Sequence, residues 1–165
     1  MNDSESEVLR VLQELGIPFA RHEHPPVYTV AEAERYWEGI EGTHCKNLFL
    51  RNQKGNRHFL VVLESKRRLD MRRLGEALQE GKLSFASEER LAKYLGLSSG
   101  AVSAFGLIND RGGEVQVVLD ESLKQSGSIN FHPNVNTATL TVSFEDFLKF
   151  LAWSGHPVRY VRLED

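Results

Sequence analysis

The chain has 165 residues, of which 41% are hydrophobic and 26% charged, the make-up of a globular domain that buries a core without disulfide or metal staples. Its one cysteine, Cys45, excludes an intramolecular disulfide and fits a reducing compartment. No apolar run approaches the roughly 20 residues that span a bilayer, and a net charge of −3 excludes a chain that is basic throughout.

The first segment, Met1-Asn2-Asp3-Ser4-Glu5-Ser6-Glu7, is acidic, the opposite of a secretory leader, so the expected location is cytoplasmic. Ser4 and Glu7 fit a capping box, and Val8, Val11, Leu12 and Leu15 recur at helical spacing until Gly16 stops the helix. Ile17 to Arg21 reads as a short strand, closed by His24-Pro25-Pro26. Thr29 and Glu32 form a second capping box, opening a helix that reaches Tyr36 or Trp37. Leu48-Phe49-Leu50 and Phe59 to Leu63 flank Gln53-Lys54-Gly55-Asn56 as a hairpin. Asp70 caps a helix carrying Met71, Leu74 and Leu78, and Ser87 caps another that carries Leu91 and Tyr94 and ends at Gly96. A loop from Gly100 then runs into a strand through Ile108, a turn over 110–113, and a strand from Val115 to Leu119. Thr137 to Val142 alternates as a strand. Ser143 caps an amphipathic helix with Phe144, Phe147, Leu148 and Leu151, and Val158 to Leu163 returns as the last strand. This irregular order predicts one mixed α+β domain over residues 1–165 rather than a doubly wound sheet.

Several residues carry chemistry. In the small-residue loop Gly100-Ala101-Val102-Ser103-Ala104-Phe105-Gly106, the lack of bulk lets backbone approach a ligand, and successive N–H groups can form a receptor for an anion or a carbonyl oxygen. Lys46 beside Cys45 would lower a thiol's pKa, yet a lone cysteine beside a strand is more often a buried small hydrophobe. There is no Gly-x-Ser-x-Gly elbow, and the six histidines lack metal-motif spacing, so neither a serine nucleophile, a metal nor a cofactor is expected. Lys66, Arg67, Arg68, Arg72 and Arg73 place five cations within a short stretch, either a solvated helix start or a seat for a phosphate backbone.

Five segments stand in register along nearly the whole chain. They are His24-Pro25-Pro26-Val27-Tyr28, Lys46-Asn47-Leu48-Phe49-Leu50, Leu83-Ser84-Phe85, Phe105-Gly106-Leu107-Ile108-Asn109-Asp110 and Asn130-Phe131-His132-Pro133. Together they resemble the freestanding prolyl-tRNA editing proteins, of the superfamily of the YbaK deacylases and the editing domain inserted in bacterial prolyl-tRNA synthetase. The resemblance implies a mixed, strongly curved, barrel-like sheet flanked by helices. It implies a hydrolase that deacylates mischarged tRNA(Pro) in trans, with alanyl-tRNA(Pro) as the leading substrate. Serine, threonine or cysteine esters, or a non-catalytic tRNA- or synthetase-binding module, are the alternatives. The implied partners are mischarged tRNA(Pro) and prolyl-tRNA synthetase, with no DNA and no membrane.

By the same resemblance, Lys46 stands at the mouth of the pocket near the substrate's 3′ end and His132 lines it, with Asn47 suited to the ester or amino group. His24 more simply organises its turn. Many relatives have Gly-x-x-x-Pro where this chain has Gly100 to Ala104, so the loop loses a rigid φ and gains an N–H donor at Ala104. Selection against the larger cognate residue calls for a small second site, with Val27, Val30 and Phe49 as its expected walls.

Overall fold

A computed structural model describes residues 3–163, and of Val30 the backbone alone. Five helices, α1 (Asp3–Glu14), α2 (Val30–Trp37), α3 (Met71–Leu78), α4 (Glu88–Leu95) and α5 (Phe144–Ser154), flank a mixed sheet. Its strands are β1 (Ala20–Glu23), β2 (Thr43–Asn52), β3 (His58–Glu64), β4 (Leu83–Phe85), β5 (Val115–Asp120), β6 (Ser128–Phe131), β7 (Ala138–Ser143) and β8 (Val158–Val161). They run in the order β1-β7-β6-β2-β3-β5-β8, with β4 on β2. This is the mixed, helix-flanked α+β sheet that the sequence predicts.

The helix starts follow from local chemistry. Thr29, Asp70, Ser87 and Ser143 each accept a hydrogen bond from the backbone N–H three residues on. In the box at α2 the return bond differs: Glu32 Oε2 accepts from Tyr28 N–H rather than from Thr29. Ser4 lies inside α1 instead of capping it. Glu5 on that helix is buried, and Arg21 of β1 supplies two N–H donors to its carboxylate, which offsets the cost of removing the charge from water. β1 begins later than expected because Ile17 N–H still closes the end of α1 on the Leu12 carbonyl.

β3 is buried on both faces and divides the core. Leu60 and Val62 join the larger cluster with α1, α4 and α5, while Phe59, Val61 and Leu63 face Leu74 and Leu78 of α3. Residues 104–109 form a 3₁₀ segment, not the expected strand. Ser103 fixes it by accepting from Phe105 N–H at its side chain and from Gly106 N–H at its carbonyl. An apolar run as short as Phe-Gly-Leu-Ile satisfies either structure, and here packing decides: Phe105 is fully buried, edge-to-face on Phe131 and Phe150.

The pairing of β2 positions the site. One edge is covered by β3 from Cys45 to Arg51. On the other, parallel β6 takes only Thr43 and His44, and antiparallel β4 takes Leu50 to Asn52. Between them the ladder is interrupted, apart from Ala86 N–H donating to the Phe49 carbonyl.

Candidate active site

A pocket of about 410 Å³ opens over that interruption, and Cys45, Lys46, Asn47, Leu48 and Phe49 all border it. Five consecutive strand residues cannot share one face of a sheet, so the pocket wraps over the open edge of β2. Lys46 and Asn47 both lie in regular ladder, opposite Leu63 and Val62.

The inner end is apolar and buried. Val27, Ala33, Phe49, Leu91 and Phe131 are each at most 5% exposed. Val27 and Phe49, two of the expected walls, thus border the pocket, while the Val30 side chain lies outside the described residues. As a whole, the cavity is of a size that holds drug-sized ligands, so it is not itself a small sieve. Any selection by size falls to this inner end.

The polar groups are held from behind. Asn47 Oδ1 accepts from Ala104 N–H at 3.0 Å, which fixes the amide and leaves its NH₂ as the donor end. That bond also commits the N–H expected to serve a substrate directly. His132 Nδ1 lies 2.9 Å from the Ala138 carbonyl; a carbonyl only accepts, so Nδ1 carries the proton and Nε2 is the basic nitrogen. Burial pushes this imidazole below its usual pKa, opposed by the Ala138 bond and reinforced by nearby His24. His24 does organise its turn, donating from Nδ1 to the Pro25 carbonyl while Nε2 accepts from the Thr139 hydroxyl. Lys46 is half-buried on the pocket wall.

Cys45 borders the same space. Burial pushes its thiol up to about 12, and its S–H points at the Thr43 carbonyl, 3.7 Å away.

The glycine loop plays a different part from the one expected. Gly100 borders the pocket, but Ser103, Ala104, Phe105 and Gly106 are buried behind it and do not line it. A Cβ at Gly106 would stand 2.6 Å from Leu97 Cδ1, so this glycine serves core packing. At Gly100 a Cβ would stand 3.2 Å from Tyr28 Cδ1; the close approach is made to an aromatic ring.

None of Lys66, Arg67, Arg68, Arg72 and Arg73 borders the pocket. Lys66 lines a neighbouring groove of about 380 Å³ with Glu34, Glu38 and Glu64, and its shared wall is Trp37, stacked on His44 at 4.4 Å. Arg67 is a structural residue: it bonds the Leu163 carbonyl and faces buried Asp120 at 3.5 Å. Arg72 pairs with Glu76 on the exposed face of α3, and Arg68 and Arg73 are exposed. Among the described residues, no three His, Cys, Asp or Glu side chains gather as a metal site.

Sequence reasoning did not single out Tyr28, Trp37, Phe85, Asn130 or Thr139, which also border the pocket. Tyr28, Phe85 and Asn130 do fall inside the five segments in register. What no residue pattern revealed is which of those segments face inward.

The aminoacyl-tRNA editing domain family matches residues 24–150. The chain is 42% identical over 163 residues to the prolyl-tRNA editing protein ProX of Acetoanaerobium sticklandii, covering 98% of each chain. It is 35% identical over 158 residues to the prolyl-tRNA synthetase associated domain-containing protein 1 of Xenopus laevis, covering 93% of this chain and 94% of that one. A crystal structure provisionally described as a trans-editing enzyme for prolyl tRNA synthetase superposes with a TM-score of 0.74 at 22% identity, over 100% of this chain and 99% of that one. At that identity it speaks for the fold alone.

Proposed function

The chain belongs to the aminoacyl-tRNA editing domain family, and on that premise we propose that it is an aminoacyl-tRNA deacylase, a single domain over residues 1–165 that hydrolyses mischarged tRNA(Pro) in trans. Alanyl-tRNA(Pro) is the proposed substrate, free of metal and cofactor. The observation that carries this reading is the meeting of Lys46, Asn47 and His132 at one pocket whose only thiol is un-ionised.

An aminoacyl ester is already activated, so the protein needs to hold it, stabilise charge on its carbonyl oxygen and admit water. In the proposed reaction the Asn47 NH₂ donates to the ester carbonyl, and the Lys46 ammonium holds the ribose–phosphate end as a point charge. His132 Nε2 accepts a proton from water as the oxygen attacks the carbonyl carbon. The bond to the ribose oxygen breaks, and that oxygen takes a proton, releasing the free amino acid and tRNA. Val27, Phe49 and their neighbours admit a methyl group more readily than a larger ring. Mischarged tRNA(Pro) is the partner in this reading. The name of the Xenopus relative supports prolyl-tRNA synthetase as a second one, and the cytoplasm is the proposed place of work.

Incubation with labelled alanyl-, seryl-, threonyl-, cysteinyl- and prolyl-tRNA(Pro) tests the proposal. Faster release from the alanyl ester than from the rest is expected. Preference for another wrong amino acid would move the substrate, and binding without release from any would leave a non-catalytic module.

A further inference from the structure

Large aromatic side chains are ordinarily turned inward, yet Tyr28 is 72% exposed and Phe85 is 63% exposed. Both border the same pocket, and their exposure sets them at its rim, where its buried apolar residues are not. They arrive from different elements: Tyr28 from the segment that enters α2, and Phe85 from β4, where its backbone pairs with Leu50 of β2. Each is fixed at its root. The Tyr28 ring lies against Gly100, where any side chain would meet its Cδ1 and Cε1 at 3.2 and 3.3 Å. Tyr28 N–H is held by Glu32 Oε2.

Resting on the deacylase reading above, we infer that Tyr28 and Phe85 form a stacking platform for the nucleobase of the substrate's 3′-terminal nucleotide. The occupant follows from the chemistry. If the aminoacyl group enters the buried end beside Val27 and Phe49, its ribose sits near Lys46, and the base that ribose carries emerges at the rim. A flat π-face is what an exposed ring binds best, and every aminoacyl-tRNA ends in the same purine. The platform therefore grips any tRNA end alike and leaves amino-acid choice to the inner end. The cavity of about 410 Å³ is also ample for more than one small aminoacyl group.

The test is a cycle between protein and substrate, using the full chain and alanyl esters of a short CCA-ended oligonucleotide. One substrate keeps the terminal base; the other carries an abasic terminal ribose. For the parent protein, loss of the base should lower kcat/KM by roughly 5- to 150-fold, the worth of one stacked base, chiefly through KM. Tyr28→Ala and Phe85→Ala should each lose part of that factor on the intact ester and little on the abasic one. Tyr28→Phe should retain it, which removes the phenol hydroxyl from the account. Equal losses on both esters, or no loss on either, would overturn the platform. Thermal melts confirm that the variants fold; should Tyr28→Ala melt early, Phe85→Ala and Phe85→Leu decide alone. Failure of the parent to hydrolyse any ester would sink the deacylase reading instead, and is thereby distinguishable.

Discussion

At the scale of single residues, the same pocket holds a thiol and an ammonium side by side, and the proposed reaction gives them opposite roles. Cys45→Ala should keep nearly the parent rate on alanyl-tRNA(Pro), because the buried thiol is not ionised. Lys46→Ala should lose a factor on the order of 10² or more, the cost of removing one charge-stabilising contact, with His132→Ala between them. Single-turnover assays check the series, and an inactive Cys45→Ala beside an active Lys46→Ala would reinstate covalent attack. His132 also sets a pH dependence. Its folded pKa is lowered, so Nε2 stays basic through the usual histidine range. The rate should hold as pH falls past about 6.5 and drop only below it, once the ring takes a proton. The pH–rate profile of the parent should show that acid limb, and His132→Ala should lack it. A midpoint at or above the ordinary value would contradict the burial argument. Lys46, Asn47 and His132 were legible only as members of recurring segments. Nothing in their residue types separates them from a surface lysine, a turn amide or a core histidine.

At the scale of elements, helix starts were legible because a cap is a bond between near neighbours, as at Asp70 and Ser87. The segment 104–109 was not, because Ser103 and the rings around Phe105 decide it, and those rings come from remote β6 and α5. β6 was illegible for a related reason: four residues with one parallel and one antiparallel neighbour leave no periodicity to read. Gly75 shows how tertiary context reverses a local rule. Within a helix, Gly→Ala ordinarily gains roughly 0.5–1 kcal/mol. Here a Cβ would stand 1.9 Å from the carbonyl oxygen of Gly81, a backbone atom of the turn that follows α3. Overpacking of this kind costs about 1–3 kcal/mol, so Gly75→Ala should destabilise the fold by about 1–2 kcal/mol. Urea unfolding measures it, and an increase in stability would show that the turn yields freely.

At the scale of the molecule, the basic stretch separates into two environments that its sequence presents as one. Lys66, Arg68 and Arg72 are exposed, whereas Arg67 faces buried Asp120. Replacing Lys66, Arg68 and Arg72 together with Glu should weaken tRNA binding and flatten its salt dependence, while stability shifts by no more than about 0.5 kcal/mol per site. Arg67→Glu should instead lower the melting temperature, since it sets a second negative charge against a carboxylate that is 2% exposed. Binding titrations over a salt series, paired with melts, distinguish the two. Unchanged affinity and slope for the triple variant would assign those cations to solvation alone.

The parallel ladder of β2 with β6 pairs only Thr43 with Ile129 and His44 with Asn130, residues far apart along the chain. Lys46 and Asn47 belong to one side of that seam; His132, Phe131 and Thr139 belong to the other. Such long-range closure is entropically late in folding. In a nascent or partly opened chain, consequently, neither the proposed reacting groups nor the proposed size filter is assembled, and both appear in one event. A half-built enzyme of this design is silent rather than indiscriminate, which spares correctly charged tRNA from a hydrolase that has not yet acquired the means to tell right from wrong.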